Sequence, residues 1–257
     1  MTIKYATIEW REYDNGQHQP YSVDFNDVYF NSEDGLAEAQ YVFIDKNDLI
    51  NRFKNLQKPV FTILETGFGT GLNCYTVVNC WLKYAPKTAK LRYFSIEKLP
   101  LTFVDMQRAS QLWPQFSNIS NEFLSQYTNI QSCLQSSLQF PRSIFSIAES
   151  RIDIGLWLGD INHVLPNLQI SDENWPESGV DTFLLDGFAP AKNIEMWQHE
   201  TLSHLARLSN AGSTFATFTS ASSVRKNLEK IGFHVQKYPG FGKKREMLAG
   251  YYSCSVK

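Results

Sequence analysis

Val60-Phe61-Thr62-Ile63-Leu64-Glu65-Thr66-Gly67-Phe68-Gly69-Thr70-Gly71-Leu72-Asn73 is the stretch whose reading decides the fold. Lys58-Pro59 breaks the chain just before it. Val60 to Leu64 is an apolar, β-branched run of the kind buried on both faces of a parallel sheet. Glycines at 67, 69 and 71 then let the backbone bend sharply and keep Cβ atoms out of the way of a ligand. Leu72 to Leu82 continues at helical spacing. A strand entering a glycine turn and a helix leaving it is the setting of a nucleotide-binding turn. The phosphate loop G-x-x-x-x-G-K-[ST] is absent, and Gly71 falls one place early for the dinucleotide pattern G-x-G-x-x-G. Taken alone, the glycines also fit a tight turn that holds no ligand.

Strand and helix signals alternate downstream. Leu91 to Ile96 reads as a second strand, and Ser143 to Ala148 and Arg151 to Leu158 as a strand pair around Glu149-Ser150. Asp181 to Leu185 is another buried strand, followed by a helix over Met196 to Leu208 and a strand over Ser213 to Phe218. A helix over Ser222 to Ile231 is stopped by Gly232. Phe233 to Lys237 and Met247 to Tyr252 are the last strands, and their connection is too short for a helical crossover, so they pair antiparallel. The expected fold is therefore α/β: a mostly parallel, doubly wound sheet with an antiparallel C-terminal hairpin, the layout of class I methyltransferases.

Residues 60–257 form the expected main domain, and residues 1–59 an N-terminal extension that packs on it. The extension mixes alternating runs (Lys4 to Trp10; Val28 to Phe30), a polar turn at Asp14-Asn15-Gly16, and helical spacing from Glu38 to Phe53. Residues 101–138 read as helix interrupted at Pro114 and rich in Gln, Ser and Asn, giving an inserted helical cap at about 101–142.

Composition excludes several classes. With 257 residues, 43% apolar and 14% aromatic, the chain can bury a sizeable core and is not low-complexity disorder. No apolar run approaches the ~20 residues that span a bilayer. Met1 to Pro20 holds Lys4, Glu9, Arg11, Glu12 and Asp14 without an apolar stretch, so it does not read as a secretory signal. Cys74, Cys80, Cys133 and Cys254 make no C-x-x-C pair, and histidines 18, 163, 199, 204 and 234 are scattered. Buried thiols in a reducing cytoplasm are expected, with no metal and no membrane partner. No nucleophile elbow is present for a Ser/His/Asp hydrolase.

Acids mark the strand ends. Glu65 ends the first strand, Glu97 the second, Asp160 follows the third and Asp186 ends the fourth. In an open α/β sheet these carboxyl ends face one crevice. Four acids there repel a pyrophosphate and suit a ligand with hydroxyls, amines and a positive charge. S-adenosylmethionine is such a ligand. Gly67, Gly69 and Gly71 are expected to cradle it, Glu97 to accept from its ribose hydroxyls, Glu65 or the glycine backbone carbonyls to lie near its ammonium, and Asp160 near its adenine amine.

Phe183-Leu184-Leu185-Asp186-Gly187-Phe188-Ala189-Pro190-Ala191-Lys192-Asn193 is the second decisive segment. Methyl transfer is an in-line displacement, so an amine acceptor must be neutral and aligned. An acid can orient that nitrogen and offset its growing charge, and a ring face can add a cation–π contact. Asp186 is assigned to orienting the amine, with or without taking its proton, and Phe188 and Pro190 to shaping the acceptor slot. Lys192 is a candidate contact to substrate phosphate. Phe188 as an ordinary core aromatic and Lys192 as a solvated lysine are the competing readings.

Glu65 to Asn73, Asp186 to Asn193, Gly240-Phe241-Gly242-Lys243-Lys244-Arg245-Glu246-Met247, Asp27-Val28-Tyr29-Phe30 and Thr217-Phe218-Thr219-Ser220-Ala221 together resemble the methyltransferase module of the MnmC family over nearly the whole chain. Residues 101–142 match only loosely. The resemblance implies methylation of a 5-aminomethyl group on the (2-thio)uridine at the wobble position of certain tRNAs, giving the 5-methylaminomethyl product. It also implies contact with the tRNA anticodon region, and a fused or separate FAD-dependent oxidase that first removes a carboxymethyl group. This chain ends at Lys257 without a second dinucleotide fingerprint, so it is expected to be a stand-alone enzyme or one half of such a fusion; FAD belongs only to an oxidase outside it.

Charge distribution bears on RNA binding. Residues 225–246 hold seven basic against two acidic residues, a net +5; with −2 overall, the rest carries −7. Lys243, Lys244 and Arg245 are the expected phosphate contacts, against the plainer reading of a solvated loop. Three other functions compete: a same-fold transferase acting on a small amine in the manner of aminopropyltransferases, a non-catalytic RNA-binding module, and a nicotinamide-dependent oxidoreductase. The basic segment disfavours the first, Asp186 with the complete glycine turn the second, and the glycine spacing the third.

Overall fold

The computed structural model describes residues 4–13, 16, 18–134, 141–171 and 179–253. Asp14 and Asn15 of the expected turn, residues 135–140 of the expected insertion, the Cys133 side chain and Cys254 lie outside the described residues.

The chain opens with β1 (Ile8–Glu12), β2 (His18–Ser22) and β3 (Asp27–Val28), an antiparallel sheet of order β1-β2-β3 with Trp10 opposite Pro20 and Tyr21 opposite Val28. Helix α1 (Gly35–Ala39) follows, its first turn capped by the Asp34 carboxylate on the Ala37 N–H at 2.8 Å. The continuous helical pattern from Glu38 to Phe53 is broken into three pieces: the end of α1, a π-helical turn Gln40–Asp45, and α2 (Leu49–Lys54). The break is at Asn47-Asp48. Asn47 donates its side-chain amide to the Phe43 carbonyl at 3.0 Å, and Asp48 adopts a left-handed φ of 52°. Asn and Asp offer such local alternatives to the helix ladder. The apolar spacing still specifies what is buried: Ala39, Val42, Phe43, Leu49 and Phe53 all face the core.

Next come β4 (Val60–Glu65), α3 (Leu72–Tyr84), β5 (Lys90–Glu97), α4 (Phe103–Ser110), a 3-10 turn at Pro114–Phe116, and α5 (Ser117–Leu134). The strand pair is β6 (Arg142–Ile147) and β7 (Ile152–Leu158). A short helix α6 (Ile161–Asn167), not foreseen in the sequence, leads toward β8 (Val180–Leu184). The helix expected from Met196 begins only at His199, as α7 (His199–Leu208), after a 3-10 turn at Ile194–Trp197. The chain closes with β9 (Ser209–Thr217), α8 (Ser222–Lys230), β10 (Phe233–Pro239) and β11 (Glu246–Tyr252).

The main sheet has eight strands in the order β10-β11-β9-β8-β4-β5-β7-β6. Strands β7, β5, β4, β8 and β9 run parallel; β11 is antiparallel to both β9 and β10, as the short connection required, and β6 is antiparallel to β7. The chain runs outward from β4 to β6, then returns to β8 on β4's other side, so the direction of winding reverses between β4 and β8. Ligands of open α/β sheets bind at such a reversal.

Alternate residues of each strand feed opposite faces. Ile63 and Tyr93 join one apolar cluster, Leu64 and Phe94 the other. The first cluster holds Trp81 of α3, Phe53 of α2, and Phe123 and Tyr127 of α5, so the extension and the helical insertion share one core with the sheet. Phe53 meets Trp81 edge-on at 4.9 Å, and Phe123 stacks on Phe68 of the glycine turn at 5.2 Å. The second cluster is supplied by α6, α7 and α8 through Leu165, Leu205 and Leu228.

A polar anchor binds the amino ends of the strands. The buried Asp181 carboxylate accepts from Lys58, from the Thr62 N–H at 2.8 Å and from Asn210 at 3.0 Å. Arg52 of α2 donates to Thr182 and Thr214, each at 2.6 Å, and to the Asp181 carbonyl at 3.0 Å. Replacing Asp181 with alanine orphans a buried N–H and a paired ammonium. The expected cost is about 2–3 kcal/mol of stability, seen as a Tm lower by roughly 4–12 °C in calorimetry; an unchanged Tm refutes the anchor.

Candidate active site

A cavity of about 440 Å³ opens at the carboxyl ends of the central strands, a size typical of small-molecule sites. Its floor is the glycine turn, Thr66 to Thr70; one wall carries Glu97 and Asp160, another Asp186 to Ala189, and the extension from Phe25 to Phe43 forms much of the roof.

Register brings the turns together. Glu65 lies opposite Leu184, so the turns after β4 and β8 leave the sheet side by side. A Cβ on Gly67 would stand 3.2 Å from the Asp186 carbonyl oxygen and 3.3 Å from the Gly187 Cα, closer than side-chain carbons ordinarily pack, which favours glycine here. Gly69, at φ 54°, turns its N–H to Glu97. Gly71 sits at the entrance to α3 and does not line the cavity.

Glu97 ends β5 and accepts two backbone N–H groups, from Gly69 at 2.9 Å and from Leu99 at 2.8 Å. These fix the carboxylate plane and leave lone pairs for a ligand. Burial pushes its pKa up, partly opposed by those amides. Asp160 caps α6 through the Asn162 N–H at 2.9 Å and pairs with Lys98 at 2.6 Å. Burial opposes its ionisation, but Lys98 and Asn162 outweigh it and hold the carboxyl below its ordinary value.

Glu65 departs from expectation. It is 0% exposed, lies beneath the cavity rather than on its wall, and accepts from Asn73 at 3.0 Å and Ser95 at 2.9 Å. As the last residue of a strand whose neighbours on both sides are in register, it points between the sheet and α3. The four-acid crevice is therefore three acids on the wall and one below.

Asp186 does face the cavity. One carboxylate oxygen accepts from Asn73 at 2.6 Å and the other from the Gly187 N–H at 2.8 Å, while Thr66 donates to its carbonyl at 2.7 Å. Burial raises its pKa to about 6, with the Gly187 and Asn73 donors pulling the other way. Gly187 has φ 145°, and a Cβ there would meet the end of Met196 at 2.6 Å. Phe188 stacks on Phe25 at 4.4 Å and meets Tyr29 edge-on at 5.3 Å, and its carbonyl accepts the Trp197 indole N–H at 3.0 Å. Phe25 was not singled out in the sequence, and Tyr29 only within a motif; an aromatic wall built from two distant segments has no local signature.

Pro190 and Lys192 do not line the cavity. They belong to a tight turn in which Lys192 and Asn193 donate to the Ala189 carbonyl at 2.7 and 3.0 Å. Ala189 and Asn193 line the slot instead. Lys243 and Lys244 reach the cavity, but each is ion-paired with the extension, to Glu33 and Glu38, both at 2.7 Å. Lys244 also lies 4.5 Å from the centre of the Phe218 ring. Arg245 is exposed outside the cavity, and its carbonyl closes the loop on the Gly240 N–H at 3.2 Å. Among the described residues no group of His, Cys, Asp and Glu is disposed to hold a metal, and no helix is long and apolar enough to cross a membrane.

The Asp186 carboxyl is expected to titrate near pH 6 rather than near 4. Carbon-13 NMR of aspartate-labelled protein, assigned with Asp186→Asn, measures this directly; a midpoint at or below pH 4.5 contradicts the described environment.

Comparison with known proteins agrees with this geometry. A family profile described as S-adenosyl-L-methionine-dependent methyltransferase matches residues 114–253, more than half of the chain. The chain is 41% identical over 252 residues to the "tRNA 5-methylaminomethyl-2-thiouridine biosynthesis bifunctional protein MnmC" of Methylobacillus flagellatus, covering 98% of this chain and 36% of that protein. The protein of the same name from Pseudomonas syringae pv. syringae is 42% identical over 254 residues, covering 98% and 35%. The chain thus spans about a third of the length of these curated relatives. Among solved structures, MNMC2 from Aquifex aeolicus superimposes with a TM-score of 0.73 at 19% identity, covering 99% of this chain and 73% of that one, which shows the same fold. With its reversal-point cavity, glycine turn and class I strand order, the chain belongs to the S-adenosyl-L-methionine-dependent methyltransferase family.

Proposed function

We propose that this chain is an N-methyltransferase that converts 5-aminomethyl-(2-thio)uridine at the tRNA wobble position to 5-methylaminomethyl-(2-thio)uridine. The observation that carries the reading is the placement of Asp186: a hydrogen-bonded carboxylate beside an aromatic wall, one backbone contact from the glycine turn. The names borne by the relatives supply the substrate class.

The cavity fits S-adenosylmethionine on its own chemistry. The turn at Gly67 and Gly69 offers bare backbone, and a side chain at Gly67 would crowd the Asp186 carbonyl. Glu97 offers an anchored acceptor for two ribose hydroxyls, and Asp160 a further acceptor on the same wall. When bound, S-adenosylmethionine supplies an electrophilic methyl group. Asp186 accepts a hydrogen bond from the neutral amine, directs its lone pair and offsets the charge that grows on nitrogen. The aromatic wall of Phe25, Tyr29 and Phe188 excludes water and presents ring faces to the same charge. Lys243, Lys244 and Arg245, on the rim loop, and Lys192, on the neighbouring turn, are the proposed phosphate contacts to the anticodon region. An FAD-dependent oxidase, fused or separate, is the implied partner, and the cytoplasm, where tRNA is modified, the implied location.

Mass spectrometry of wobble nucleosides after incubation with S-adenosylmethionine and aminomethylated tRNA tests the reaction; recovery of unmethylated nucleoside alone rejects it. Asp186→Ala is expected to lower kcat/KM by roughly 10²–10³-fold, and full activity in that variant removes Asp186 from the amine. The combined change of Lys243, Lys244 and Arg245 to alanine is expected to weaken tRNA binding and flatten its dependence on salt. A salt dependence equal to that of the unaltered protein excludes the loop as a phosphate contact.

A further inference from the structure

A polar network runs from the cavity lining to the layer beneath it: Asn73 and Asp186 line the cavity, and Glu65 does not. Glu65 is wholly buried at the end of β4, and no cation pairs with it among the described residues. Asn73, in the first turn of α3, directs its one amide nitrogen to two carboxyl groups at once: Glu65 at 3.0 Å and Asp186 at 2.6 Å. Both amide protons are thereby committed. Ser95 of β5 holds the other Glu65 oxygen at 2.9 Å. The Tyr93 hydroxyl is buried beside the same carboxyl group and interacts with it.

We infer that Asn73 and Glu65 are positioning residues for the amine-binding carboxylate, with Glu65 holding the Asn73 amide in the one orientation that points an N–H at Asp186. The inference rests on the reading of Asp186 given above and deepens it. An amide is the group this position demands. A carboxylate at 73 has no proton to donate and would set a third carboxyl group against the other two. An alanine leaves Asp186 with its own Gly187 N–H alone, free to rotate away from the acceptor.

Charge follows from the same geometry. Two carboxyl groups joined through one nitrogen cannot both ionise cheaply in a buried site. Burial, then the nearby Asp186, push Glu65 well above the ordinary carboxyl range, and burial raises Asp186 to about 6. The other charged groups facing Asp186 are Glu38 of α1 and Lys244 of the β10–β11 loop, which are paired with each other and act in opposite directions. Cys74, next to Asn73, is buried with its thiol pushed far up by burial, so it stays neutral.

Asn73→Ala, Glu65→Ala and Glu65→Gln separate the roles. In Asn73→Ala the Asp186 carboxyl loses a stabilising donor, so its carbon-13 titration midpoint rises above the unaltered value. Its kcat for methyl transfer falls by about tenfold or more, while the calorimetric Kd for S-adenosylmethionine changes less than threefold. Glu65→Ala shows the same pattern. Glu65→Gln, the neutral isostere, recovers most of the lost rate and brings the midpoint back. The inference is overturned if the midpoint does not move in Asn73→Ala, or if Glu65→Gln is as impaired as Glu65→Ala. Asp186→Ala, run alongside, tells the two failures apart. If it stays fully active, the reading of Asp186 is wrong; if it is inactive while Asn73→Ala is normal, only the network is wrong.

Discussion

Parallel pairing of β4 with β8, Glu65 opposite Leu184, is the constraint on which the rest of this molecule depends. It sets two tight turns against each other at the place where the winding of the sheet reverses. The approach is close enough to favour glycine at 67, and the other turn bends at Gly187 with φ 145°. A shift by one residue would exchange the faces of the strand. Glu65 would then be driven into the apolar cluster that seats α7 and α8, and Leu64 would leave it. The floor for a donor and the wall that holds an acceptor are thus products of one register, itself pinned at the opposite end by Asp181 and Arg52.

Much of this was legible in the residues, for identifiable reasons. The buried strands from Val60, Leu91 and Asp181 are continuous apolar runs, and the glycine turn carries its geometry in its spacing. The antiparallel C-terminal hairpin followed from the length of its connection. The helical break at Asn47-Asp48 did not, because periodicity reports which side is buried and says nothing about continuity. Helix α6 was hidden by its shortness and by Pro166, and its cap, Asp160, was read as a ligand contact only.

The candidate site divides in the same way. Acids at strand ends were visible because the carboxyl end of a parallel strand is a defined place. Whether such an acid reaches the cavity or lies under it depends on how far it stands past its neighbours: Glu65 is level with Ser95, and Glu97 comes two residues later. Glu65 and Glu97 therefore look alike in sequence and differ in space. Phe25 and Tyr29 meet Phe188 only because the extension folds over the sheet. The roof is part of the same core as the floor, with Phe43, Phe53 and Trp81 in one apolar cluster.

The two ion pairs that tie the rim loop to the extension have a consequence for recognition. Lys243 and Lys244 do not wait as bare charges; each already has a carboxylate, Glu33 or Glu38, for company. A polyanion that engages them exchanges an internal partner for an external one, so the net electrostatic gain is smaller than a count of lysines suggests. The carboxylates given up in that exchange belong to the segment lying over the cavity. A polyanion docking at the rim thus competes for the same cations that tie down the segment over the cavity.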